Sequence, residues 1–166
     1  MEGPPPHHQD PYFRLRHPPA TPEEERCRCA DAPPLVLKGQ LQPNPLTCFA
    51  CGLEVDPSQV ELPPPLVDDI ASWRDVHDSL YLLWLDSQEF EAWAFGQLKD
   101  PRNAVHERGL KLIAKLATHR PTYYWWFTDQ LFEKEAPLPA CPRCQSELEP
   151  AGQHRLCTLC RVLIAS

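Results

Sequence analysis

The chain contains no long apolar run and little positive charge. Among its 166 residues no stretch of about eighteen apolar residues occurs, so a transmembrane helix is not expected. The opening residues MEGPPPHHQD lack the apolar segment of a secretory signal. The 16 Lys and Arg are outnumbered by 23 Asp and Glu, which gives a formal charge of −7. Such a chain is a poor candidate for coating nucleic acid through bulk electrostatics.

The chain also lacks the motifs of common enzyme classes. We find no glycine-rich phosphate loop, no GxSxG elbow and no HExxH pair. His77 lies close in sequence to Asp75 and Asp78, but it falls on an apolar helix face. A core histidine is therefore favoured over a catalytic His–Asp pair. We expect a protein without catalytic activity.

No cysteine is isolated, because the 8 Cys form four close pairs. Without a signal peptide, this pattern argues against a secreted disulfide scaffold. Cys141 and Cys144 are followed, after twelve residues, by Cys157 and Cys160. Two CxxC turns can direct four thiolates at one ion, which predicts a closed, structural zinc site. The alternative of two redox pairs lacks the βαβ pattern that would favour it.

A second zinc site is predicted from Cys27, Cys29, Cys48 and Cys51. Gly52 stands where a CxxC turn needs a positive φ, whereas Gln145 and Arg161 take that place in the C-terminal pairs. Two alternatives remain open. A histidine can replace Cys27 or Cys29, or the 48–51 pair can join a C-terminal pair. Two loaded four-cysteine sites would add about two negative charges each.

The chain divides into four stretches, which together predict an α+β fold. Residues 1–26 are rich in proline and are predicted to form a disordered arm, with Tyr12, Phe13 and Leu15 held locally. The sequence of residues 27–60 predicts an N-terminal zinc-bound β-hairpin unit with a strand at 35–37. Residues 66–120 predict a small helical middle, and prolines 63–65 a stiff spacer before it. Residues 121–166 predict an aromatic strand followed by a C-terminal zinc ribbon.

Apolar spacing predicts three helices in the middle of the chain. The first carries an apolar face formed by Val67, Ile70, Trp73, His77, Leu80, Tyr81 and Trp84. Ser87 is predicted to cap the second helix. Asp100 and Pro101 are predicted to begin the third. The buried side of that third helix is expected at Val105, Gly109, Leu112, Ile113 and Leu116.

A candidate nucleic-acid surface combines basic and aromatic residues. Residues 61–100 hold nine acids and two bases, whereas 101–120 hold five bases and one acid. The tentative contact residues are Arg108, Lys111, Lys115, Arg143, Arg155, Arg161, Tyr124 and Trp126. In the alternative interpretation the helical bases face solvent or pair with acids, and the ribbon arginines neutralise thiolates. The aromatic residues 123–127 then belong to the core.

Several segments in order resemble a bacterial family described as Zn-ribbon-containing and nucleic-acid-binding, whose function is unknown. They are Cys48-x-x-Cys51, SLYLLWLDS, DPRN at 100–103, PTYYWW at 121–126 and the ending CPRC…CTLCRVLIAS. The resemblance covers about residues 45–166. It implies zinc ligands at Cys141, Cys144, Cys157 and Cys160, and it implies a bacterial cytoplasmic protein.

The sequence thus favours a structural two-zinc protein that binds nucleic acid. The second hypothesis is an acidic protein-interaction module, such as an adaptor, a regulator or a neutralising partner. Neither the type of nucleic acid nor the oligomeric state follows from the sequence.

Overall fold

The computed structural model describes residues 10–16, 21–39, 41–129 and 138–165. They form three α-helices, α1 (Pro64–Asp86), α2 (Glu91–Lys99) and α3 (Ala104–Leu116). They also form six strands: β1 (Leu35–Leu37), β2 (Leu46–Cys48), β3 (Thr122–Trp125), β4 (Glu149–Ala151), β5 (His154–Cys157) and β6 (Val162–Ala165). Within the described ranges no helix is long and apolar enough to cross a membrane. The fold class is therefore α+β, as predicted.

All six strands belong to one mixed sheet, in the order β2-β1-β3-β6-β5-β4. The central strands β1, β3 and β6 are parallel, and the outer strands are antiparallel to their neighbours. The two β units predicted at 27–60 and 121–166 are thus joined by strand pairing. The chain passes through β2 and then the helical middle between β1 and β3, which meet as parallel neighbours only after this long crossover.

The helices begin at different residues from those predicted. Pro64 and Pro65 are the first residues of α1 rather than a spacer, because proline lacks the N–H that a first turn leaves unpaired. Helix α3 begins after Asn103, whose side chain accepts a hydrogen bond from Val105 N at 2.9 Å. Asp100 instead accepts from the backbone N–H of Arg102 in the preceding turn.

Ser87 assists α2 without being its N-cap residue. Helix α2 follows Phe90, and Ser87 Oγ accepts a hydrogen bond from Phe90 N at 3.2 Å. Ser87 is itself the residue that ends α1. Its side chain therefore lies in the turn between two helices, which explains why it gives a capping signal three residues early.

One face of the sheet, called here the inner face, is covered by α1 and α3. The predicted apolar face of α3 is buried in full, and α1 buries Val67, Ile70, Trp73 and His77. Trp73 Nε1 donates to Val105 O at 2.9 Å and so ties the two helices together. A Cβ at Gly109 would lie 2.2 Å from the Tyr124 ring, so only glycine allows α3 to approach β3 this closely.

The described parts of the N-terminal arm pack on the fold. Leu15 is buried in the main core, and Arg14 forms ion pairs with Asp68 and Asp75 of α1. Arg26 forms an isolated parallel bridge with Glu54. Leu15 is thus anchored in the core, as its predicted local attachment implies, and residues 21–26 also contact the fold. His7, His8 and His17 lie outside the described residues.

Candidate metal centres and the outer face of the sheet

Three CxxC turns, called here knuckles, share one backbone geometry. In the 48–51 knuckle, Gly52 N donates to Cys48 O at 2.8 Å and Cys48 N donates to Leu53 O at 2.8 Å. The 141–144 knuckle repeats both bonds, each at 2.9 Å, through Gln145 and Ser146. In the 157–160 knuckle the same spacing appears as the β5–β6 pairing of Cys157 with Val162. Each turn thus brings two sulfurs to the same side of a closed loop.

The residue after each knuckle has a positive φ. Gly52 adopts φ 73°, as its position predicts, and the non-glycine residues Gln145 and Arg161 adopt φ 61° and 55°. A left-handed conformation costs a residue with a Cβ roughly 1–2 kcal/mol. The two C-terminal knuckles therefore keep the geometry at a cost that glycine avoids in the N-terminal one.

The C-terminal cluster is formed by the 141–144 and 157–160 knuckles. Its four sulfurs lie within 4.8 Å of one another, and Cys144 Sγ lies 3.6 Å from Cys157 Sγ. Cys160 N also donates to Cys157 Sγ at 3.4 Å. Strand β6 leaves this cluster and pairs with β3, so the cluster is fixed directly to the sheet.

The N-terminal cluster combines the 48–51 knuckle with Cys27 and Cys29. These four sulfurs also lie within 4.8 Å of one another. Cys27 N donates to Glu54 O at 2.7 Å, which holds the irregular CxC segment beside the knuckle. Among the described residues, the geometry therefore groups Cys27 and Cys29 with Cys48 and Cys51, with neither a histidine nor a C-terminal pair in the group.

The sulfur spacing of both clusters is compatible with a four-thiolate metal site. With metal–sulfur bonds of about 2.3 Å, neighbouring sulfurs in a tetrahedron are about 3.8 Å apart. The observed 3.6 Å between Cys144 and Cys157 is close to that value and far longer than a disulfide bond. All eight cysteines are free. Each cluster can therefore hold a metal ion with all four positions filled by sulfur.

Local hydrogen bonds favour one thiolate in each cluster. The Ser146 side chain and backbone N–H lower the pKa of the Cys144 thiol to about 6. Burial opposes ionisation of Cys48, but the backbone N–H groups of Cys51 and Ala50 outweigh it and lower the pKa of that thiol. Burial raises the pKa of Cys51, Cys141 and Cys160, and hydrogen bonding with the Cys27 thiol raises that of Cys29 to about 12. A bound cation would replace these remaining protons.

Two of the three predicted ribbon arginines bind carbonyl and carboxylate oxygens. Arg143 donates to Pro101 O at 2.6 Å and pairs with Glu107. Arg155 donates to Leu138 O at 2.7 Å. Arg161 is exposed after the last knuckle. The first two side chains therefore join segments of the fold, which leaves Arg161 as the accessible member of the set.

The three predicted bases of α3 are all exposed on the side away from the sheet. Lys115 Nζ lies 2.7 Å from Asp69 Oδ2 of α1, so the predicted pairing with the acidic helices occurs at this residue. No hydrogen bond or ion pair joins Arg108 or Lys111 to another described residue. Together with Asp69 and Leu112 these bases surround a shallow hollow of about 140 Å³.

Tyr124 and Trp126 are core residues, so their predicted role in stacking on bases does not fit the structure. Tyr124 is 0% exposed and Trp126 is 2% exposed. Tyr124 contacts Trp73 edge-on, and Trp126 stacks on His106 with ring centroids 4.2 Å apart. Strand alternation turns both side chains towards the helices, and the alternative of an aromatic core holds for this pair.

The other face of the sheet, called here the outer face, carries a groove of about 530 Å³. Its floor is Val36, Trp125 and Leu163, and its walls are the 48–51 knuckle and the β4–β5 turn. Lys38 Nζ lies 4.4 Å from the Trp125 ring centroid, and the His154 ring lies edge-on to Trp125 at 5.0 Å. The predicted contact residues name the alternate aromatic pair Tyr124 and Trp126 instead of Trp125, and they do not include Lys38 or His154. Alternation along 123–127 signals Trp125, but no local signal brings Lys38 and His154 to it.

Comparison with protein-family models, curated proteins and solved structures gave no match. The resemblance to a zinc-ribbon family therefore stays an expectation from the sequence.

Proposed function

We propose that the protein is a zinc-ribbon protein with two structural zinc ions that binds nucleic acid and has no catalytic role. Two groups of four cysteines, whose sulfurs lie within 4.8 Å of one another, support the metal assignment, since four thiolates are a characteristic ligand set of structural zinc. All four ligands are protein sulfurs in each site, which leaves no position for substrate. The antiparallel strands β4, β5 and β6, which follow the 141–144 knuckle and flank the 157–160 knuckle, support the name ribbon.

The observation that carries nucleic-acid binding is the exposed pair Arg108 and Lys111. They lie three residues apart on one face of α3, a helix that carries three Lys or Arg residues and one Glu. Neither is engaged with another described residue, and two such cations can meet successive phosphates of a backbone. Lys115, four residues further on, is already paired with Asp69.

Zinc content and its removal test the structural part of the proposal. We expect two zinc ions per chain by elemental analysis. A strong chelator should abolish cooperative thermal unfolding, because the sheet is held at one end by both clusters. Cys157→Ser and Cys48→Ser should each leave one zinc. A metal-free protein with unchanged circular dichroism and melting temperature would contradict a structural role.

Salt-dependent binding tests the nucleic-acid part. We expect the zinc-loaded chain to bind labelled single-stranded or double-stranded nucleic acid at low salt, with affinity falling as salt rises. Arg108→Gln and Lys111→Gln should each reduce the salt slope by about 1. The matched control is Lys115→Gln, which should change the slope less because its charge is already paired. Absence of binding to every polymer at low salt would refute the proposal.

A second candidate is the acidic protein-interaction module, favoured by residues 75–98. This segment holds five acids and no Lys or Arg, and its three most exposed large apolar side chains are Leu82 (53%), Phe90 (52%) and Trp93 (53%). Exposed aromatic side chains with an acidic rim suit a basic, partly apolar protein surface. A co-purifying protein that is lost from both Trp93→Ala and Asp86→Lys with Glu89→Lys would support this candidate. Those two acids are better test positions than Asp68 and Asp75, which pair with Arg14.

A further inference from the structure

The groove on the outer face differs in charge from the rest of the chain. The protein carries a formal charge of −7, yet no Asp or Glu is among the described residues that line this groove. Its titratable groups besides cysteine are Lys38 and His154. A cleft with basic groups and no carboxylate attracts an anion, even on an acidic protein.

Lys38 has no carboxylate partner among the described residues, and the acidic groups in the described lining are the thiols of Cys48 and Cys51, which a bound metal ion would share with the other two cysteines of the N-terminal cluster. The Lys38 ammonium group is half-buried over Trp125. Burial lowers its pKa, as expected for an ammonium group that has lost part of its hydration. An incoming anionic oxygen would restore the lost hydration by a charge-assisted hydrogen bond.

The floor of the groove offers an aromatic surface and an unused polar atom. Trp125 is half-buried on a central strand, so its ring is held by the sheet rather than by a loop. Tryptophan rings held in this way stack on planar heterocycles. His154 Nδ1 is buried and has no hydrogen-bond partner among the described residues. Such an atom can donate to or accept from the edge of a planar ring.

The size of the groove narrows the ligand class. About 530 Å³ lies within the usual range for small-molecule sites. The walls are the Cys48–Gly52 segment and the Ala151–His154 turn, which belong to the two ends of the sheet. A planar ring linked to an anionic group fits an aromatic floor with a lysine at its side.

We propose that this groove binds a nucleotide, with the base against Trp125, the phosphate at Lys38 and the base edge at His154. The nucleotide is either free or the end of a single strand, since both present the same chemistry. The site lies on the face of the sheet opposite α3. It is therefore separate from the Arg108 and Lys111 surface, and it does not depend on the proposed function.

The test is titration of the zinc-loaded full chain with four nucleoside 5′-monophosphates, the matching nucleosides, inorganic phosphate and short single strands. Trp125 and His154 resonances report binding by NMR. We expect a nucleotide or a single strand to perturb both residues, and to bind more tightly than the nucleoside or phosphate alone. Binding of the monophosphates identifies a free nucleotide as the source, and binding of the strands alone identifies a polymer end.

Lys38→Met keeps the apolar stem of the side chain and removes its charge. We expect it to weaken binding by at least about tenfold, the value of one charge-assisted hydrogen bond. Lys99→Met is the matched control, because Lys99 Nζ also lies over an aromatic ring, 4.9 Å from the Phe95 centroid, and it should leave binding in the groove unchanged. Unchanged circular dichroism in both variants establishes that the fold is kept.

Three results would overturn the inference. They are no perturbation of Trp125 at millimolar ligand, equal binding of phosphate and nucleotide, and wild-type affinity in Lys38→Met. If strands still bind and respond to Lys111→Met but not to Lys38→Met, the proposed function stands and the groove is not the site. If Lys38→Met alone weakens nucleotide binding, the groove is a site whatever the role of α3.

Discussion

The two faces of the central sheet use the same residue types for different ends. On the inner face, Trp126 stacks on His106 with centroids 4.2 Å apart. On the outer face, Trp125 meets His154 edge-on at 5.0 Å. The two tryptophans are adjacent in sequence, and β-strand geometry alone sends them to opposite sides.

The two histidines that contact these tryptophans, His106 and His154, differ in how completely their nitrogens are hydrogen-bonded. His106 Nε2 lies 2.7 Å from Leu98 O, and its Nδ1 lies 2.9 Å from Tyr124 Oη. A carbonyl only accepts, so Nε2 carries the proton and the Tyr124 hydroxyl donates to Nδ1. His154 Nδ1 has no such partner in the described part of the chain. His106, with both ring nitrogens hydrogen-bonded, belongs to the core. His154 has one unbonded nitrogen and lines the groove together with Lys38.

The largest expected difference between the faces is in the cost of removing each tryptophan. Trp126→Ala should lower the free energy of unfolding by about 3–5 kcal/mol, because it leaves a cavity among buried rings. Trp125→Ala should cost about 1 kcal/mol, since its ring lies on the open face. Chemical denaturation of both zinc-loaded variants measures this contrast. Equal losses would mean that the outer face is as tightly packed as the inner one.

The next effect is the pH dependence of the inner histidine. Burial lowers the pKa of His106 to about 4, below its ordinary value of 6.5, so the folded state disfavours protonation. Burial of the neutral imidazole therefore contributes roughly 3 kcal/mol to the free energy of unfolding above pH 6.5, and this contribution is lost as the pH falls towards 4. Ring-proton NMR should show no titration of His106 between pH 5 and 8. A midpoint near 6.5 would contradict the burial.

The outer histidine supplies the control for this pH prediction. Burial and the nearby Lys38 charge lower the pKa of His154. Lys38→Met should therefore raise the pKa of His154 and leave that of His106 unchanged. A shift of both resonances would indicate a global change of structure instead.

A glycine pair tests the close packing of the inner face at a smaller scale. Gly109→Ala should destabilise the protein by about 2 kcal/mol, because the new Cβ would meet the Tyr124 ring at 2.2 Å. Gly96→Ala is the control. It has no neighbour within 4 Å of the new Cβ and should stabilise α2 by about 1 kcal/mol. Thermal unfolding measures both, and a neutral Gly109→Ala would show that α3 can move away from β3.

The smallest effects are expected at the knuckles, which close one end of both faces. Gln145→Gly and Arg161→Gly should each stabilise the protein by about 1 kcal/mol, and Gly52→Ala should destabilise it by a similar amount, because all three positions have positive φ. Their changes in the free energy of unfolding should add to those of Trp126→Ala and Trp125→Ala, and the difference between the two tryptophan variants should stay the same. Strong coupling would mean that the knuckles set the packing of one face.

Much of the candidate metal chemistry could be predicted from local sequence. The spacing of Cys141 and Cys144 from the next pair predicts their grouping, because a short chain must return to the same ion. The apolar positions of α3 are confirmed one by one. The first residue of that helix is missed, since Asp100 and Asn103 both offer capping oxygens and only the packed turn decides between them.

The sequence by itself determined the four cysteine pairs, the helical faces and the alternation of the aromatic run, because each depends on residues close along the chain. Only the tertiary structure decided which aromatic set faces inward, that β1 and β6 flank β3, and that Lys38 and His154 meet at Trp125. These residues come from β strands and turns far apart in sequence. Their meeting is decided by sheet pairing and by the burial of one face under α1 and α3, and no local pattern encodes either.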